Sequence, residues 1–208
     1  MHIRTLNTEE MRDVYDRFMV EDFPKEELKS FSIIERLMED GQYICCGLFG
    51  ESEADEGAPE ALCGYGLYVF LEEEGVRNYL IDYLAIRKDV RGRGIGSAFL
   101  RDAAKVLPGP VGMCLVEAED PEAAADAAER TVRERRIAFY ERGGYHDTGI
   151  RVCLFGVRYV ILEKSGRTSN RPAQTPASDP EHIRRVYRGI YEYMLGKELL
   201  AKQLQIIL

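Results

Sequence analysis

Arg91-Gly92-Arg93-Gly94-Ile95-Gly96-Ser97 packs three glycines and two arginines into seven residues, directly after an apolar run from Tyr79 to Ile86. Residues of these types at this spacing suit the holding of a phosphate. A helix that opens here presents first-turn amides without intrahelical partners, at the positive end of its dipole. Glycine lets that backbone approach phosphate oxygens with no Cβ in the way. The arginines add positive charge. Two familiar phosphate motifs do not fit: the dinucleotide fingerprint would need glycine where Ser97 stands, and the Walker pattern G-x-x-x-x-G-K-[ST] is absent.

The elements that must position this loop follow from periodicity and breakers. Arg77 to Arg87 is apolar on both faces, which predicts a strand in the middle of a sheet. Gly96 to about Leu107 carries Ile95, Phe99, Ala103 and Leu107 along one stripe, which predicts a helix, and Pro108-Gly109-Pro110 ends it. Val111 to Val116 reads as a buried strand. Upstream, Met1 to Leu6 reads as a strand and Asn7 or Thr8 as the cap of a helix reaching about Val20. Pro24 to Asp40 reads as a second helix stopped by Gly41. Strands over Tyr43 to Phe49 and Ala61 to Leu71 flank an acidic hairpin connection, Gly50 to Glu60. Downstream, Pro121 to Arg142 is helical and Tyr145 to Leu162 is a hairpin. The sum is a mixed α/β sheet (α+β), with antiparallel hairpins first and a strand-helix-strand crossover in its middle.

Composition sets outer bounds. The chain has 208 residues, 45% hydrophobic and 31% charged, enough for a real core. Its 36 acidic residues exceed its 28 Lys and Arg, for a net charge of −8, which argues against general nucleic-acid binding. No apolar run approaches the roughly 20 residues of a membrane span. Met1-His2-Ile3-Arg4-Thr5 lacks the apolar stretch of a secretory signal, so a cytoplasmic protein is expected. Cys45, Cys46, Cys63, Cys114 and Cys153 include no Cys-x-x-Cys pair and read as buried free thiols. His2, His146 and His182 show no metal-ligand spacing, and no metal is expected.

Arg91, Gly94 and Gly96 meet the R-x-x-G-x-G pattern of the GNAT acetyltransferase superfamily, and the Leu-Ala-Ile strand before it and Phe-Leu helix after it resemble that superfamily too. Arg136-Ile137-Ala138-Phe139-Tyr140-Glu141-Arg142-Gly143-Gly144-Tyr145 resembles its late segment, a Phe-Tyr pair on a helix before a glycine and an aromatic. The element order is similar over about Met1 to Leu162. The resemblance implies a central mixed sheet flanked by helices in which two parallel strands splay apart, here Tyr79 to Arg87 and Val111 to Glu117. It implies acetyl-CoA as cosubstrate and an amine as acceptor. The pyrophosphate would lie on Arg91, Gly92, Arg93, Gly94, Ile95, Gly96 and Ser97. The pantetheine arm would lie on Leu84, Ala85 and Ile86, with the Ile86 amide or a neighbour facing the thioester carbonyl.

Acyl transfer to an amine needs a base, an oxyanion donor and a proton for the departing thiolate. The resemblance makes Tyr140 the acid. A phenol, with an ordinary pKa of about 10, is protonated at neutral pH and roughly matched to a thiolate. Glu117, at the end of its strand, is the first candidate base. Glu119, Asp120, Asp82 and Tyr83 are alternatives, and period two puts Asp82 and Tyr83 on opposite faces. Without a histidine partner for any cysteine, direct attack in a ternary complex is expected over an acyl-cysteine. A different class of reading is a silent coenzyme-A-binding sensor or assembly module. Residues 1–163 would form the catalytic domain, 164–180 a linker or long loop, and 181–208 a helix. That helix would pack on its own domain, cover the acceptor site or exchange across a homodimer.

Overall fold

The computed structural model describes residues 1–25, 27–50, 60–166 and 179–207. The acidic connection expected at Gly50 to Glu60 and the linker expected at 164–180 lie mostly outside them. The chain forms two compact units, residues 1–69 with 82–107 and residues 70–81 with 108–208.

The first unit holds β1 (His2–Thr5), α1 (Thr8–Val14), a π-helical turn (Tyr15–Met19), α2 (Val20–Asp22), α3 (Phe31–Glu39), β2 (Tyr43–Gly50) and α4 (Ile95–Asp102). It also holds most of β3 (Ala61–Glu73) and the second half of β4 (Val76–Ile86). Asn7 caps α1 through a full capping box with Glu10, whose carboxylate returns to the Asn7 amide. β1 pairs antiparallel with β2, and β2 with β3. Met11, Met19, Ile34, Leu37, Tyr65, Leu67 and Phe99 are buried in its core. Each such side chain contributes about 1.5–3 kcal/mol by leaving water.

The helix expected from Pro24 starts only at Phe31. The carbonyls that would build its first turns are taken by tyrosines. Tyr83 donates to the Glu27 carbonyl at 2.7 Å and Tyr15 to the Lys29 carbonyl at 3.0 Å. The Lys29 amide donates to the Tyr83 oxygen at 3.0 Å. Side chains that are remote in sequence thus outbid a local helix propensity.

The second unit holds β5 (Val111–Glu119), α5 (Ala127–Arg142), β6 (His146–Leu154), β7 (Val157–Ser165), α6 (Pro180–Leu195), α7 (Lys197–Gln203) and β8 (Leu204–Ile207). The strand order is β1-β2-β3-β4-β5-β7-β6-β8. β4 and β5 are parallel, and β5/β7, β7/β6 and β6/β8 are antiparallel, so the sheet is mixed. The ladder of β4 on β5 runs from Arg77↔Val111 to Ile81↔Val116, whereas β4 continues to Ile86 and β5 to Glu119. The single tail helix expected from Glu181 to about Leu204 is two helices and a strand. Gly196, at φ +78, breaks it where an L side chain would be strained.

Candidate functional site

The first unit carries the glycine-rich loop. A 3₁₀ turn (Lys88–Val90) follows β4, and Gly92 and Gly94 then take φ +81 and +76. These are left-handed values natural to glycine, and Gly94 is the N-cap of α4. Among the described residues no side chain caps this helix, and a Cβ built on Gly92 or Gly94 would meet nothing within 4 Å. The first amides of α4, at Ile95, Gly96 and Ser97, therefore head a helix whose approach is open at both glycines, and this loop fits a diphosphate. Ile95 and Phe99 are buried one turn apart and anchor α4 beneath it.

The two arginines differ in employment. Arg91 donates from Nε to the Ile86 carbonyl at 2.7 Å and lies 3.9 Å from Asp22. Asp22 in turn accepts from the Tyr65 hydroxyl at 2.8 Å. Arg91 therefore braces the loop against the end of β4 and against α2. Arg93 is exposed.

Along the second half of β4, Asp82, Leu84 and Ile86 are half-buried while Tyr83 and Ala85 are buried. Asp82 thus shares a face with Leu84 and Ile86, opposite Tyr83. Its carboxylate, 6% exposed, accepts from Lys29 Nζ at 2.8 and 2.9 Å and from the Tyr43 hydroxyl. Burial, then the Asp82 charge, holds the Tyr43 phenol well above its ordinary pKa.

The second unit carries Glu117 and Tyr140. Half-buried Glu117 accepts at Oε1 from Tyr187 and, at 2.9 Å, from Tyr191, which also reaches Oε2 at 2.9 Å. Tyr140 sits on the last turns of α5, 8% exposed, its ring 5.8 Å edge-on from that of Tyr145. Burial pushes its phenol up to about 12, so it stays protonated. No hydrogen bond is made by its hydroxyl among the described residues.

The other carboxylates are committed to structure. Glu119 faces Arg136 at 3.2 Å and Arg133 at 3.7 Å. Asp120, 2% exposed, caps the turn Pro121–Ala123 through the Glu122 amide and pairs with Arg158 at 2.8 Å. Lys29 and Tyr43 carry no pattern in the sequence that marks them as partners of a carboxylate, and the helical spacing of Tyr187 and Tyr191 indicates only a shared helix face. The five cysteines are free. Among the described residues no cluster of metal-ligand side chains is present, and no helix is long and apolar enough to cross a membrane.

The arrangement is an acetyltransferase fold. A structure from Bacteroides thetaiotaomicron assigned to the GNAT family of acetyltransferases is similar at TM-score 0.60 and 17% identity, over 95% of this chain and 99% of that one. The aminoglycoside 6'-N-acetyltransferase from Enterococcus faecium is similar at TM-score 0.56 and 15% identity, over 83% and 99%. An aminoglycoside 6'-N-acetyltransferase complexed with coenzyme A is similar at TM-score 0.52 and 16% identity, over the same shares, 83% and 99%. No curated protein matches the chain in sequence. The sequence profile of the Acetyltransferase (GNAT) family matches residues 8–145, and the chain belongs to that family. It is an acetyltransferase that acts with acetyl-CoA.

Proposed function

We propose that the protein transfers the acetyl group of acetyl-CoA to a primary amine of a small molecule or peptide, by direct attack in a ternary complex. The observation that carries this reading is the start of α4, opened by Gly94 in the left-handed region and uncapped by any side chain. In this reading the loop from Arg91 to Ser97 holds the pyrophosphate through its amides. Leu84, Ala85 and Ile86 lend backbone groups to the pantetheine arm, as an added strand would. The bound donor supplies a thioester carbonyl as electrophile. Ile86 or a neighbour offers its amide to that oxygen as negative charge grows there.

Glu117 takes a proton from the ammonium, leaving a neutral amine able to attack. As the C–N bond forms and the C–S bond breaks, Tyr140 gives its phenol proton to the thiolate, and the phenolate recovers a proton from the nitrogen as the amide forms. A phenol held protonated, with no hydrogen-bond acceptor among the described residues, suits that role. The same reading takes residues 1–163 as the acetyltransferase domain, 164–180 as a connection and 181–208 as an extension.

Release of free thiol from acetyl-CoA, measured against amines, polyamines, aminoglycosides and peptides, tests the proposal. Release that depends on one amine class supports it. One observation favours the alternative of a coenzyme-A-binding module: Asp82, another candidate base, is held by Lys29 and Tyr43. Tight coenzyme A binding by calorimetry with no turnover on any amine would establish that alternative. Gly94→Val, which is strained at this φ and puts a side chain over the loop, abolishes binding if the loop holds the pyrophosphate; retained binding refutes that assignment.

A further inference from the structure

We infer that Tyr187 and Tyr191 of α6 are positioning residues for acetyl transfer, holding the Glu117 carboxylate in the orientation from which it takes the amine proton. The inference rests on the reading of Glu117 as base and adds to it the part of the chain that makes the base work. Glu117 belongs to the stretch matched by the family profile, residues 8–145, and both phenols come from outside it.

The geometry is specific. Tyr187 and Tyr191 are one helical turn apart, their ring centroids 4.9 Å from each other, and both hydroxyls converge on one carboxylate. Tyr191 straddles it, at 2.9 Å from each oxygen, while Tyr187 meets Oε1 alone. Three hydrogen bonds from two anchored donors restrain both torsions at the end of the glutamate side chain. The rings are 2% and 6% exposed, so packing alone would be served equally well by phenylalanine. What phenylalanine lacks is the pair of donors.

The donors are themselves held. Ile183, Val186, Ile190 and Met194 fix the buried face of α6. At its first turns, His182 and Arg185 clasp Glu73, each at 3.0 Å. Gly189 allows close approach to Leu71, whose Cδ2 would lie 2.7 Å from an added Cβ. Burial, then the Glu117 charge, keeps the Tyr187 phenol well above its ordinary pKa, so it remains a donor throughout the neutral range. Tyr140 of α5 lies within electrostatic reach of the same carboxylate. Proton donor and proton acceptor of the proposed reaction thus lie in one compact unit, and α6 supplies the hydrogen bonds to the acceptor. A group held in place before the substrate arrives loses no freedom at the moment of reaction.

The test is a double-mutant cycle on the full chain, with a working amine. Y187F/Y191F should lower kcat about 10-fold or more, the scale of losing hydrogen bonds that orient a charged group, and should leave the KM for acetyl-CoA within about twofold. In the E117Q background the same pair should change kcat by less than about twofold, because the residue it serves is gone. A merely structural role would lower kcat by the same factor in both backgrounds, and that result overturns the inference. Wild-type kcat in Y187F/Y191F overturns it too. Full activity in E117Q refutes the base reading itself, a separate outcome. Should the double variant not fold, Y187F and Y191F singly carry the cycle, with thermal melts as the control.

Discussion

Asp82 and Glu117 are the two carboxylates whose strand positions invite a catalytic role, and the protein treats them oppositely. Asp82 receives an ammonium and a phenol, from Lys29 and Tyr43. Glu117 receives two phenols, from Tyr187 and Tyr191. A cation satisfies a buried carboxylate by cancelling its charge, and the result is a strut. Phenols hold a carboxylate by hydrogen bonds alone, and two of them meet on Glu117. In the proposed reading, the difference separates a carboxylate that holds a loop from one that serves as the base.

The largest expected effect is on turnover. Glu117→Gln lowers kcat by about 100-fold or more, the usual scale of a lost general base, in protein that remains folded by thermal melt. Asp82→Asn, in contrast, lowers stability by about 1–3 kcal/mol while folded enzyme keeps its kcat. Equal losses of kcat in the two variants would erase the distinction. Tyr140→Phe comes next, with kcat down about 10- to 100-fold and acetyl-CoA affinity retained. Unchanged turnover would remove Tyr140 from the mechanism. Lys29→Met should cost about 1–2 kcal/mol by chemical denaturation, and much less in an Asp82→Asn background. Additive losses would mean that Lys29 is not the strut's other half.

The smallest effect is on pH dependence. Buried Tyr43, Tyr140 and Tyr187 all have phenols raised above the ordinary value, Tyr140 to about 12. A raised pKa in the folded state means the unfolded chain holds fewer protons above about pH 10. The stability these phenols contribute is therefore complete below about pH 10 and is lost as pH rises through their folded values. An alkaline melt series should show a falling midpoint above about pH 10, and kcat should show no limb from Tyr140 short of about pH 12. A Tyr140 limb near pH 10 would place the phenol in water.

Much of this was legible in the sequence, for a physical reason. The strand, glycine turn and helix from Tyr79 to Asp102 are specified by residues adjacent in the chain, and periodicity reads such information directly. The start of α3 departs from the expectation because hydroxyls of Tyr15 and Tyr83, remote in sequence, occupy the Lys29 and Glu27 carbonyls. The partners of the carboxylates were hidden likewise. Lys29 and Tyr43 lie 53 and 39 residues from Asp82, and Tyr187 and Tyr191 lie 70 and 74 residues from Glu117. Only the folded sheet brings them together. Tyrosines at helical spacing look the same in a sequence whether their hydroxyls are idle or aimed.

β8 has a consequence of another kind. Its four residues pair antiparallel with β6, from Leu204 on Leu154 to Ile207 on Arg151. Without them, Arg151 to Leu154 would offer unpaired amides and carbonyls to any extended peptide that drifted by, the usual opening for edge-to-edge clumping. A short hem thus guards that border of the fabric, and variants trimmed before Leu204 should be judged first by whether they stay monodisperse.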